Sequence, residues 1–385
     1  MDGLKELRDQ IDVIDAQIVS LFEQRMAVTR KVGEYKLAHG MPVLDAGREQ
    51  AVLEQKTALL QDKALASDAT ALFECIMGLS RQQQRTLVKE GTEDPSLTGY
   101  YEALAHSRAP LEHSRVLYQG EPGAYAEEAA ARFFGEETER RRVDTWEDIF
   151  LTLRAGEADY GVIPIENNST GSINATYDLL AKYRAFIVGE QIVRVDHCLM
   201  APKGAALGNL REVRSHEQGL IQCEEYLKAH PEWKQVPMLN TAAAAKYVAE
   251  QGDMGLAAVG SPRAARLYGL DILAEKINFN AENFTRFVVV SPALEQRSGG
   301  DKISATFTLP HESGSLHRIM TVFAVHGVNM LKLESRPMVG KSWEYRFFVD
   351  LEGSLSDQRM EGVVHEVAQL ATEFRILGNY RKSEG

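Results

Sequence analysis

From Leu4 to Tyr35 the residues Leu4, Leu7, Ile11, Ile14, Ile18, Leu21, Val28, Val32 and Tyr35 recur at intervals built from steps of three and four, with no proline among them. Such spacing lines one face of a helix. Residues 4–37 therefore predict a single helix about 50 Å long, at roughly 1.5 Å per residue. A helix of that length outruns any small core and needs a partner helix beside it, for which a second copy of the chain is the expected source.

The stripe has one anomaly. Stepping by sevens from Ile11 gives Ile18, then Arg25, then Val32, so a guanidinium occupies the middle of an apolar seam. An unpaired buried charge costs several kcal/mol, and Arg25 must meet an anion, either an acidic residue of a neighbouring helix or a bound ligand. Arg8 and Lys36 lie on the same helix. After the break at HGMPVLD, helical stretches are predicted at about 46–62 and 68–89. In the latter, Phe73, Met77, Ser80 and Gln84 share a face that turns from apolar to hydrogen-bonding. Asp45, Arg48 and Glu49 open the second helix, where acidic groups also serve as caps. Residues 1–90 thus read as an all-helical domain, and residues 91–113, rich in Gly, Pro and Ser, as a linker.

From Arg115 short apolar runs alternate with helical ones: RVLYQG, AYAEEAAARFF, ADYGVIPIE, INATYDLLAKY, AFIVGEQIV, EVRSHE, GLIQCEEYLKAH, TAAAAKYVAEQ, GLAAVG, SPRAARLYG and NFTRFVVV. This alternation predicts an α/β domain over 114–292 with largely parallel sheets and sites at strand ends. Residues 292–301 form a second linker. Residues 302–380 then read strand, helix, strand, strand, helix, strand, the order of a ferredoxin-like α+β module.

Composition removes several classes of function. A formal net charge of -12 argues against a nucleic-acid partner, and any attraction for an anionic substrate must come from locally placed arginines. No apolar run approaches the roughly 20 residues of a membrane span, and MDGLKELRDQ is too charged for a signal peptide, so a cytoplasmic location is expected. Cys75, Cys198 and Cys223 are widely spaced and suggest neither disulfides nor a zinc site. GEPGAY at 120–125 lacks the Lys-Ser/Thr of a phosphate loop and a full GxGxxG.

The constellation on the first three helices resembles the all-helical chorismate mutases. Their substrate chorismate is a dianion, rearranged by restraint and electrostatics without a nucleophile or an acid-base step. The resemblance implies that Arg25 and a partner chain's Arg8 clamp carboxylates and that Lys36 and Gln84 donate to the ether oxygen. It also implies that Arg48 and Ser80 assist at a carboxylate and that Asp45 with Glu49 holds the ring hydroxyl.

Polar islands at predicted strand ends, GEPGAY, PIENNSTGSI, RSHEQGLIQC, NTAAA and NFTRF, together resemble prephenate dehydratase over residues 115–292. This implies a two-lobed, periplasmic-binding-protein-like fold whose cleft receives Thr285 as hydroxyl donor to the departing hydroxide and Arg286 as partner of a carboxylate. Asn167, Ser169, Thr170, Gln218 and Thr241 would line the cleft, with Glu166 and His216 nearby. Many relatives have Gly-Ser-Tyr-Ser or Gly-Ala-Tyr-Ser where this chain has Gly-Ala-Tyr-Ala, ending at Ala126.

Gly314-Ser315-Leu316 and Glu334-Ser335-Arg336-Pro337 resemble the effector motifs of phenylalanine-sensing ACT domains and imply that Gly314, Leu316, Glu334, Ser335 and Arg336 bind phenylalanine. The entire chain resembles the bifunctional chorismate mutase and prephenate dehydratase proteins. It is expected to take chorismate and prephenate, use no metal, nucleotide or organic cofactor, involve no membrane, and form a homodimer or a pair of dimers. Two alternatives stay open: an arogenate dehydratase at the same site, and a non-catalytic amino-acid sensor.

Overall fold

The computed structural model describes residues 2–85, 87, 114–295, 299–338, 340 and 343–383. Helix α1 (Asp2–Ala38) is uninterrupted, slightly longer at each end than the periodicity predicts. Helix α2 (Ala46–Ala58) begins where the Asp45 carboxylate accepts from the Arg48 backbone N–H at 2.9 Å. It ends four residues short of the expected 62, because Asp62 caps a separate 3-10 turn, Lys63–Leu65, which leads into α3 (Ala66–Arg85). The linker expected at 91–113 lies outside the described residues.

The C-terminal half of α1 packs against α3 at Gly33, where a Cβ would stand 2.8 Å from Gln84 Cγ. Only a residue without a side chain permits that approach. The N-terminal half of α1 has no cover among the described residues, leaving Leu4 59%, Leu7 58% and Ile18 56% exposed.

The α/β region is two-lobed. In the first lobe, β1 (Val116–Gln119), β2 (Arg140–Val143), β3 (Tyr160–Asn167), β4 (Gly171–Ser172), β5 (Phe186–Arg194) and β11 (Phe284–Ser291) make a sheet in the order β2-β1-β3-β11-β5, with β4 on β3. In the second, β6 (Cys198–Ala201), β7 (Glu212–His216), β8 (Lys234–Met238), β9 (Leu256–Gly260) and β10 (Asp271–Ala274) are ordered β10-β6-β9-β7-β8. The expectation of largely parallel sheets is corrected. β11 runs antiparallel to both β3 and β5, and β6 runs antiparallel to β9 and β10. The cause is the chain's return from the second lobe, which feeds β11 back between two strands already laid down. Helix GLIQCEEYLKAH is likewise broken at Cys223 into Glu217–Gln222 and Glu224–Lys228.

The third unit has the expected order: β12 (Lys302–Thr308), helix Ser315–Val325, β13 (Met330–Pro337), β14 (Tyr345–Glu352), helix Gln358–Leu370 and β15 (Glu373–Tyr380), in one antiparallel sheet β13-β14-β12-β15. Its sheet lies against the first lobe. Phe348, Leu377 and Tyr380 belong to the same apolar core as Leu117, Ile149 and Val288. Gly378 sits so close to β5 that any Cβ would collide with the Ile187 carbonyl.

Candidate functional site

On the helical unit, Arg25 Nη1 donates to Ser80 Oγ at 2.6 Å, and Ser80 in turn donates to the Ile76 carbonyl at 2.7 Å. Ser80 is buried, and with its proton directed to Ile76 its oxygen is oriented to accept from the guanidinium. Burial lowers the Arg25 pKa from its ordinary value, and the nearby Glu49 carboxylate opposes that shift. Gln84 is 6% exposed, and its Oε1 has no hydrogen-bond partner among the described residues. Lys36 Nζ donates to the Val43 carbonyl at 2.6 Å; an ammonium has three donors, and this bond uses one.

The helices therefore join Arg25, Ser80 and Glu49, with Lys36 one turn beyond the Gly33–Gln84 contact. Arg8 is exposed on the uncovered half of α1, and Asp45 and Arg48 are exposed at the start of α2. One residue was missed in the sequence. Arg81, 9% exposed, donates from Nη1 to both oxygens of Glu49 at 2.6 Å. Its place immediately after Ser80 was the only available signal.

In the α/β region two of the polar islands, PIENNSTGSI and NFTRF, meet where the chain returns from the second lobe. Asn167 ends β3 directly opposite Thr285 on β11. Its Oδ1 accepts from the backbone N–H groups of Ser169 at 2.9 Å and Thr170 at 3.0 Å, and from Thr170 Oγ1 at 3.3 Å. Those donors fix the amide orientation, so Nδ2 points the other way. It donates to Asn283 Oδ1 at 2.7 Å and to Thr285 Oγ1 at 2.9 Å. An amide N–H can only donate, so Thr285 accepts there and keeps its own O–H proton for another acceptor.

Ser169 Oγ accepts from Asn280 Nδ2 at 2.7 Å, which draws the 167–170 turn onto the returning segment. In the second lobe, Gln218 and Thr241 lie in the first turns of helices that follow the parallel strands β7 and β8, capped by His216 and Asn240. Gly120, at the end of β1, faces Asn240 closely enough that a Cβ would lie 3.8 Å from its Nδ2. Ala126 packs with Val116, Tyr118 and Val193 in an apolar core, so a hydroxyl at that position would meet hydrocarbon.

The expectation for Arg286 is corrected. Successive residues of a strand face opposite ways, and with Thr285 toward Asn167, Arg286 points to the third unit. It pairs with Asp350 at 2.7 Å, Glu190 at 3.2 Å and Glu166 at 3.2 Å. Lys302 adds contacts to Glu190 at 2.8 Å and Asp350 at 3.7 Å. Burial would raise the Asp350 carboxyl, yet Arg286 and Lys302 hold it below its ordinary range. Sequence alone gave alternation but not which face was the cleft.

The effector-motif residues also contact the first lobe. Glu334 accepts from Ser172 Oγ, and Arg336 Nη2 meets Asp178 at 2.8 Å. Gly314 caps its helix in a left-handed conformation at φ 81°, and Ser315 ties that turn to the carbonyls of Pro310 and Glu312 at 2.8 Å each. Leu316 packs on the core of the third unit, while Ser335 is exposed.

The helices bring Arg25, Ser80, Glu49 and Arg81 together, and the two-lobed α/β region holds the buried Thr285 hydroxyl against Asn167, an arrangement of the enzyme class with which the chain aligns. The chorismate mutase type II family pattern matches residues 7–85 and that of prephenate dehydratase matches residues 116–294. A bifunctional chorismate mutase/prephenate dehydratase of Aquifex aeolicus is 31% identical over 100% of this chain and 99% of its own. That of Escherichia coli K12 is 33% identical over 98% of this chain and 96% of its own. A solved prephenate dehydratase from Arthrobacter aurescens, in complex with L-Phe, superposes with a TM-score of 0.64 and 31% identity, covering 70% of this chain and 90% of that one. The chain belongs to the bifunctional chorismate mutase/prephenate dehydratase family and carries both activities of phenylalanine biosynthesis.

Proposed function

We propose that the two reactions are divided between residues 1–90 and 114–292, that residues 302–380 form an ACT domain binding phenylalanine as feedback inhibitor, and that the enzyme works as a cytoplasmic homodimer. In the helical pocket, Arg25, aimed by Ser80, and Arg8 of a second copy grip the carboxylates of chorismate. Lys36 and Gln84 donate to the ether oxygen as its bond breaks, and Glu49 takes the ring hydroxyl. The uncovered apolar half of α1 supports the dimer, since about five turns of exposed aliphatic side chains, at roughly 3.6 residues per turn, would otherwise face water.

In the cleft, prephenate loses its ring carboxylate as carbon dioxide. The electron pair released enters the ring and expels the hydroxyl at the opposite carbon, giving aromatic phenylpyruvate. Thr285 donates a hydrogen bond from its O–H to the departing oxygen, which leaves as hydroxide and takes a proton from solvent to become water. The single observation that carries this reading is the Asn167 carboxamide, locked by the turn at Ser169 and Thr170 and donating into Thr285 Oγ1 at 2.9 Å. Asn167 thereby fixes the hydroxyl and leaves its proton outward. Ser169, Thr170, Gln218 and Thr241 line the rest of the cleft. Gly314, Leu316, Glu334, Ser335 and Arg336 make the effector site, and the relative with bound L-Phe supports phenylalanine as its ligand.

The test uses the full chain with chorismate alone. Phenylpyruvate should form without additives, and phenylalanine should slow its formation. Chorismate converted only to prephenate, or not at all, would overturn the proposal.

A further inference from the structure

The mutase pocket and the third unit share a residue. Helix α3 lies against the helix Ser315–Val325, the one that begins at the effector-motif Gly314: Glu74 meets His317 at 3.4 Å, and a Cβ at Gly78 would stand 3.7 Å from Val325 Cγ2. About one turn further along α3, Arg81 has two carboxylates. Its Nη1 holds both oxygens of Glu49 at 2.6 Å, while its Nε lies 3.8 Å from Glu366 on the helix Gln358–Leu370. Glu366 is 2% exposed and lies 3.5 Å from His326 Nε2, at the end of the Ser315–Val325 helix.

Charges this enclosed are costly to leave unbalanced, so moving Glu366 changes what Arg81 must neutralise. Glu49 is the carboxylate placed against the ring hydroxyl of chorismate. We infer that Arg81 is a positioning residue of the mutase site, one that sets the Glu49 carboxylate and, through Glu366, makes it respond to the seating of the third unit. Phenylalanine at the start of the Ser315–Val325 helix would thus reach the mutase along two packed helices, without passing through the dehydratase cleft. The inference rests on the assignment of Glu49 to the chorismate site.

The experiment measures both activities separately on the full chain, with chorismate and with supplied prephenate. Arg81→Met should lower mutase kcat at least tenfold while dehydratase kcat stays within twofold, and Arg81→Lys should recover part of the loss. Glu366→Gln should leave basal mutase kcat within twofold but shift the phenylalanine concentration for half-inhibition of the mutase at least threefold, with that of the dehydratase unmoved. Glu74→Ala, at the open rim of the same contact, should shift mutase inhibition in the same sense and keeps the test usable if Glu366→Gln does not fold.

Unchanged mutase kcat in Arg81→Met would overturn the positioning role, as would equal loss of both activities. Equal shifts of both inhibition curves, or none, would overturn the link. Absence of any phenylalanine response in the parent chain would instead remove the effector reading, which the Arg81 variants, measured without phenylalanine, do not use.

Discussion

Replacing Arg286 with Met separates two roles for the residue beside Thr285. The guanidinium sits 2.7 Å from Asp350 and 3.2 Å from Glu190, both themselves enclosed at 8% and 4% exposure. With Glu166, Lys302 and Lys332 these groups make three positive and three negative charges, so the substitution leaves one carboxylate without compensation. Removing one partner of a buried pair costs about 3–5 kcal/mol, a large share of the roughly 5–15 kcal/mol that holds a typical domain.

Urea denaturation followed through Trp146 and Trp233 should show a loss of that size, and any folded fraction should keep its KM for prephenate within about threefold. Asp350→Asn should reproduce part of the loss, and the double variant should lose less than the sum. Asp350 also fixes the pH direction. Its folded pKa is depressed below the ordinary 3.8, so its contribution is complete above about 4 and disappears as pH falls through the folded value. The Asn variant should lack that acid-side decline. A KM raised a hundredfold with an unchanged denaturation midpoint would instead show Arg286 gripping substrate and refute the reasoning.

Asn167→Asp keeps the shape but replaces the donor at Thr285 with an acceptor, which would capture the hydroxyl proton. Dehydratase kcat should fall by about two orders of magnitude, the scale of a lost proton donor, with mutase kcat unchanged in a stopped assay on chorismate. Gly33→Ala should gain helix propensity of up to about 1 kcal/mol yet push Gln84 aside, since the new Cβ would lie 2.8 Å from Gln84 Cγ; circular dichroism should hold while mutase kcat drops about tenfold. Burial lowers His197 to about 4, against the hydrogen bond it makes with Gln222. The unfolded chain therefore binds a proton that the folded one does not between about 6.5 and 4, and stability should fall with decreasing pH across that window, which His197→Gln should flatten.

The parts of this enzyme that sequence revealed are those with a period. The α1 stripe, the Arg25 break within it and the Phe73–Gln84 face all follow from helical geometry, and the third unit has the order of strands and helices that its pattern predicts. β2 was missed because RRRV offers no apolar alternation; its pairing with β1 makes it a strand. Thr285 and Arg286 showed the same limit. Adjacent polar residues on a strand must face apart, but only the packing of the third unit on the first lobe decides which one meets the cleft. Arg81 meets Glu49 on a different helix and Glu366 near the end of the chain, contacts to which no local pattern corresponds.

Thr285→Val in the full chain, given chorismate and followed by product analysis, tests the division of labour most directly. Prephenate should accumulate to the amount of chorismate consumed, at the parent rate and with no phenylpyruvate. Continued phenylpyruvate release, or a mutase slowed as much as the dehydratase, would contradict two separate sites built from Arg25 and Thr285.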